Sequence, residues 1–253
     1  MNDGRKADSK EKQMPFLEHL DELRRVIIDS LIAIAIASTA CWFFSGRAID
    51  LMVTPIGKAV FINTAEAFAA RFELTVVLGL LISLPFVFYR VWRFVVPGLL
   101  RRERSLMLPF AVCSTLFFYG GVAFSYFMLV PAIVKLLLAF GTSRIQPMIS
   151  INSYFLMVMQ ISIALGVVFQ FPLVVGVLTW LGVITPGFLK RKWRYAVVII
   201  FIVGAVVTPG DGPSQLVVAF PLCGLYFLSI LISVLVKRRK ERERESEDDV
   251  TRD

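Results

Sequence analysis

Residues 154–181 read YFLMVMQISIALGVVFQFPLVVGVLTWL, 28 positions in a row without a charge. A helix crossing the hydrocarbon of a bilayer needs about 20 apolar residues, so this run is long enough to span. A membrane β-barrel strand would alternate apolar and polar residues over about 10 positions, and this run does not. Backbone groups in lipid have no water to bond, which leaves the α-helix. Five further runs repeat the pattern, at about 26–44, 72–89, 106–130, 195–207 and 215–236. The whole chain agrees with its parts: 253 residues, 57% apolar, 18% charged, mean hydropathy +0.74. Soluble domains run roughly 45–50% apolar and about 25% charged, so a single soluble core is excluded. Disorder needs the opposite composition. The expected fold class is an all-α integral membrane protein with six transmembrane helices.

The fifth run is short. Its 13 residues, 195–207, cover about 20 Å at 1.5 Å per residue, against a hydrocarbon core of about 30 Å. Trp193 and Arg194 precede it and suit an interface. Thr208-Pro209-Gly210-Asp211-Gly212-Pro213 follows as a tight turn into the sixth run. The pattern predicts a short fifth–sixth hairpin mismatched with a normal bilayer, for which local thinning is one accommodation.

Charge sets the orientation. Lys plus Arg number six in the N-terminal tail, five in 90–105, four in 182–194 and seven in the C-terminal tail. Only Arg47, Lys58, Arg71, Lys135 and Arg144 fall on the other side. The positive-inside rule places both termini in the cytoplasm. Each tail balances its own charge, so the net +8 traces to the two inner loops. That pattern orients the chain and suits anionic lipid rather than nucleic acid. The expected organisation is a cytoplasmic tail with an amphipathic segment (1–25), a six-helix membrane domain (26–236) and a charged C-terminal tail (237–253). That last tail is expected to be a frayed helix end or disordered. Long outer loops, 45–71 and 131–153, are expected to pack over one side. The late first run, without a small-residue cleavage pattern, reads as an uncleaved membrane helix.

Little in the sequence suggests catalysis. No phosphate-binding Gly-rich loop, HExxH or GxSxG is present. His19 is the only histidine, and Cys41, Cys113 and Cys223 sit singly inside apolar runs. Disulfides, metals and cofactors are therefore not expected. Asp29 and Glu73 are the only acids inside spans, both in a first turn close to water, so the usual mark of an ion pathway is weak.

Two polar segments remain. Met14–Arg25 carries Phe16, Leu17, Leu20 and Leu23 near helical spacing and reads as an interface-lying helix leading into the first span. Its acids Glu18, Asp21 and Glu22 either serve a ligand or pair with Arg24 and Arg25. In 91–104, apolar anchors mix with Arg residues and one acid, Glu103. That loop either faces anionic lipid, with Glu103 as internal partner, or presents Glu103 to a ligand.

Taken in order, these pieces resemble the TatC family, the polytopic component of the twin-arginine protein translocase. The matching residues are His19-Leu20-x-Glu22-Leu23-Arg24, Pro55, Phe68, Trp92-x-Phe94-x-x-Pro97 and Glu103. Then come Phe124-x-Tyr126-Phe127 with Pro131, Gly166-x-x-Phe169-x-x-Pro172 and Gly182-x-Ile184-Thr185-Pro186. Thr208-Pro209-x-Asp211-x-x-Ser214-Gln215 and Pro221 complete the set. The likeness covers about residues 14–236.

The resemblance implies a receptor without enzyme chemistry in a bacterial cytoplasmic membrane. Such a receptor binds twin-arginine signal peptides of folded cargo and works in a multimeric complex with TatA- and TatB-type single-span subunits, driven by the proton-motive force. It implies signal recognition by Glu22, Arg24, Phe94 and Glu103, where Phe94, Pro97 and Leu99 contact the apolar part of the signal or anchor the loop. Two adjacent guanidiniums need carboxylates that accept paired hydrogen bonds. Ser214 and Gln215 either contact partner subunits or cap the sixth helix, and Asp211 with Thr208 fixes the turn. His19, Pro209, Pro55 and Phe68 fall to structural roles, the last two in an outer cap over a concave bundle. Two positions depart from the family: Gln170 and Phe227 stand where Glu is common. Gln170 keeps a polar contact to a partner possible, but neither position titrates. A secondary transporter is the alternative, although the sequence lacks the two related halves it would need.

Overall fold

The structure, a computed structural model, describes residues 4–53, 65–99, 107–141, 150–208 and 211–250; side chains are described for these except 4–18, 96–99, 107 and 243–250. Ten α-helices follow in order among these residues. They are α1 (Gly4–Trp42), α2 (Ser45–Val53), α3 (Glu66–Leu99), α4 (Met107–Phe124) and α5 (Val130–Leu138). Then come α6 (Ile151–Val168), α7 (Phe171–Trp180), α8 (Pro186–Arg191), α9 (Trp193–Val207) and α10 (Gly212–Val250). Five stretches are long and apolar enough to cross a membrane: His19–Trp42, Glu66–Val95, Leu108–Leu138, Ile151–Trp180 and Gly212–Arg242. The sixth expected span is the 15-residue α9, about 22 Å long, short as its sequence requires.

Several boundaries differ from the sequence reading. Between Phe16 and Trp42 there is neither Gly nor Pro, and α1 runs unbroken through Arg25 into the span. The amphipathic segment therefore shares the span's axis instead of forming a separate helix across it. Parts of both expected outer loops are helical: α2 and the start of α3 lie in 45–71, and α5 reaches residue 138. The C-terminal tail continues α10 to Val250. Pro55, Glu103 and Pro209 lie outside the described residues, as do the side chains of Pro97 and Leu99.

The chain divides into two compact units, residues 1–49 with 71–115 and residues 50–70 with 116–253. In the first, α1 and α3 are tied at three levels. At one end Arg71 donates from Nε to Ser45 Oγ (2.8 Å) and from Nη2 to the Trp42 carbonyl (3.5 Å), and its guanidinium lies 4.9 Å from the Trp42 ring. The Trp42 carbonyl, which the end of α1 leaves open, also accepts from Ser45 Oγ at 2.7 Å. Midway, Ser38 meets Gly79, where the backbones come so close that no Cβ fits. Toward the other end Asp29 pairs with Arg90. Trp92 joins α3 to α4, donating from Nε1 to Ser114 Oγ (2.7 Å) and stacking on Phe110 at 5.0 Å.

The second unit has the larger core. Leu129, Ile133, Ile161, Leu165, Val218 and Leu222 form one buried cluster; Val175, Leu189, Tyr226 and Ile230 form another. Hydroxyls join helices inside it: Ser125 with Ser162 (3.2 Å) and Thr179 with Ser233 (2.8 Å), a common device between membrane helices. Prolines explain its irregular turns. Pro131 has no N–H for the Phe127 carbonyl, and the preceding turn, Ser125–Leu129, widens to π type with Val130 N–H bonded to the Ser125 carbonyl. Pro172 likewise has no N–H for the Val168 carbonyl, and the fourth span breaks between α6 and α7.

Candidate functional site

Two side chains of the expected recognition surface, Glu22 and Phe94, meet His19 in the first unit. On α1, His19 and Glu22 are one turn apart, with His19 Nδ1 3.9 Å from Glu22 Oε2. On α3, the Phe94 ring stacks on the His19 imidazole, centroids 4.2 Å apart and planes 10° from parallel. Glu22 remains half exposed (49% of its side chain), so its carboxylate is open to a cation from outside. Arg24 is exposed. The result is a carboxylate beside a flat aromatic and imidazole stack, an arrangement suited to a guanidinium with an apolar neighbour. His19, which sequence reasoning left structural, is the piece that joins Glu22 to Phe94.

The pair Asp29 with Arg90 was also missed. Asp29 read as a helix-end acid and Arg90 as a loop cation, yet both lie within helices. A signal existed: Asp29 follows Glu22 by seven residues, so both fall on one face of α1.

The expected partner-contact residues lie in the second unit. Asp211, not Ser214 or Gln215, caps α10: its Oδ2 accepts from the Ser214 N–H at 2.8 Å. Burial alone would raise the Asp211 carboxyl, but the polar groups of Ser214 and its own N–H outweigh this and lower it below its ordinary value. Thr208 is buried and donates to the Gly204 carbonyl (3.0 Å), and Gln215 donates from Nε2 to the Phe201 carbonyl (2.8 Å). The turn residues thus hold α9 against α10. Gln170 stands at the break between α6 and α7 and reaches back to the Gly166 carbonyl at 3.5 Å. It also edges an apolar groove of about 470 Å³ walled by α7, α9 and α10, with Phe171, Ile199, Val203 and Tyr226 among its lining. Phe68 and Phe227 are both exposed; at 227 an aromatic ring faces outward where an acid would have to be solvated.

The turn after α7 obeys its sequence closely. Gly182 has φ +81°, and Val183 N–H bonds the Leu178 carbonyl (2.9 Å) while Gly182 N–H bonds that of Thr179 (3.0 Å), a Schellman ending. Thr185 then caps α8, accepting from Phe188 N–H at 3.3 Å, and Pro186 opens that helix.

Comparison with known proteins agrees with this architecture. The family described as Sec-independent protein translocase protein (TatC) matches residues 18–221. The protein of that name from Koribacter versatilis is 38% identical over 246 residues, covering 92% of this chain and 90% of the relative. The one from Carboxydothermus hydrogenoformans is 35% identical over 235 residues, 91% and 97% of the two chains. A crystal structure of the twin-arginine translocase receptor TatC superposes with a TM-score of 0.80 at 32% identity, covering 86% of this chain and 99% of that one. The chain belongs to the TatC family and is a membrane-embedded component of the twin-arginine, Sec-independent protein translocase.

Proposed function

We propose that this chain is the receptor for twin-arginine signal peptides, with Glu22 accepting one guanidinium of the pair. The observation that carries this reading is the meeting of Glu22, His19 and Phe94 at one end of α1 and α3. Glu103, the lone acid among the Arg residues of its loop, supplies the second acceptor, and Phe94, Pro97 and Leu99 meet the apolar part of the signal. The charge distribution supports cytoplasmic placement of both termini in a bacterial inner membrane and anionic lipid against the inner loops. The division into 1–25, 26–236 and 237–253 then separates cytoplasmic from membrane-embedded segments.

TatA- and TatB-type single-span subunits complete the working complex, and the proton-motive force drives export of folded cargo. The apolar groove beside Gln170 suits a lipid-embedded partner helix, and the Gln170 amide offers that helix a polar anchor. Copurification of a TatB-type subunit is expected to fall by about half in Gln170→Leu, the size of one modest interhelical hydrogen bond in lipid; unchanged recovery would remove Gln170 from the interface. The recognition reading is tested by photo-crosslinking a twin-arginine signal peptide to 91–104. Glu103→Arg is expected to suppress the crosslink while the chain still inserts into the membrane. An undiminished crosslink would count against Glu103 as acceptor.

A further inference from the structure

On α1, His19, Glu22, Val26 and Asp29 follow at spacings of three, four and three, which puts them on one face. On the facing helix α3, Arg90 and Phe94 are one turn apart. Phe94 stacks on His19, and Arg90 pairs with Asp29. Glu22 stands between these two contacts along the stripe. Arg90 is the more buried partner of its pair, 21% exposed against 41% for Asp29. Its Nε has no hydrogen-bond partner among the described residues. A largely buried guanidinium with an unmet donor has a strong demand for carboxylate oxygens. Asp29 takes up part of that demand through Nη2. The next carboxylate on the stripe is Glu22, seven residues and about 10 Å away along the axis, a gap that an extended arginine and an extended glutamate close together.

We propose that Asp29 sequesters Arg90 and so keeps Glu22 open for the guanidinium of an incoming signal peptide. Without Asp29, Arg90 turns toward Glu22 and occupies the acceptor from within the receptor. Asp29 is a positioning residue: it acts through Arg90 and touches no ligand. The inference rests on the reading of Glu22 as the acceptor given above. It differs from a simple clamp between α1 and α3, because a clamp is lost when either partner is neutralised, whereas sequestration fails only when Arg90 is left unpaired.

The test titrates a fluorescent peptide, two arginines followed by an apolar segment, into the full chain in lipid nanodiscs. Asp29→Asn is expected to bind about tenfold more weakly, the size of one displaced charge-assisted hydrogen bond. Arg90→Gln is expected to bind like the unmodified chain, and Asp29→Asn combined with Arg90→Gln to return to within about threefold of it. Asp29→Glu, which still reaches Arg90, is expected to bind normally and guards against reading misfolding as lost recognition. The inference is overturned if Asp29→Asn binds normally, if Arg90→Gln alone weakens binding tenfold, or if the double variant stays weak. Glu22→Gln separates the two layers. If it leaves binding unchanged, the acceptor reading fails; if it weakens binding while the double variant does not recover, only the sequestration of Arg90 fails.

Discussion

Gly79→Leu is expected to separate α1 from α3 and to end signal-peptide binding. A Cβ at residue 79 would lie 2.5 Å from the Ser38 nitrogen and 2.6 Å from its Cα. These are backbone atoms, so no rotamer of either residue relieves the overlap and the helices must move apart. Overpacking inside a well-packed core typically costs about 1–3 kcal/mol, and a backbone collision lies at or above the upper end. The same two helices carry the Asp29–Arg90 pair and the His19–Phe94 stack, both of which need close approach. Gly120→Leu is the matched control, since nothing lies within 4 Å of a Cβ there. Thermal unfolding in detergent and peptide titration would both be read. If Gly79→Leu and Gly120→Leu behaved alike, the close crossing would have no role in holding the surface.

Glu22→Arg is expected to weaken recognition strongly while leaving folding nearly untouched. Glu22 is half exposed and packs against no core, so the chain should insert and unfold normally. A hydrogen bond to a charged group contributes about 1.5–3 kcal/mol, and every 1.4 kcal/mol is tenfold in affinity. Losing the acceptor and adding a like charge beside the incoming guanidinium is thus expected to weaken peptide binding by about 100-fold or more. Glu22→Gln keeps the shape and should lose about tenfold. Binding by Glu22→Arg within threefold of the unmodified chain would exclude Glu22 as a principal acceptor.

Much of the fold was legible because lipid makes the chain simple to read. Uncharged runs mark spans, and the short fifth run made a short helix. Gly182-x-x-Thr185-Pro186 states its own geometry: a left-handed residue to end α7, a hydroxyl to cap α8 and a proline to open it. Periodicity shows which residues share a face but not which distant face they meet. Asp29 and Arg90 are 61 positions apart in sequence, so their pairing needed the structure. Glutamine amides were ambiguous for the same reason. Gln215 read as a partner contact or a cap, and the structure shows it bracing α9 through the Phe201 carbonyl. The N-terminal segment was read as an interface-lying helix leading into the span because its apolar residues recur at helical spacing. A helix, however, ends for reasons of backbone conformation, and no residue there supplies one.

The length of α10 changes the meaning of a charge count. Its 39 residues measure about 58 Å, of which Gly212–Val236 takes about 37 Å. Six basic and six acidic residues follow within the helix, a net charge of zero. In a coil these would average out. On a rod they do not: Lys237, Arg238, Arg239 and Lys240 occupy the first turn beyond the apolar stretch, whereas Glu247, Asp248 and Asp249 stand about 15 Å farther along. Mobile ions screen charges over about 8 Å at physiological salt, so the two groups act independently. A tail neutral by composition is a fixed dipole, with its positive pole held at the foot of the apolar helix and its negative pole carried outward.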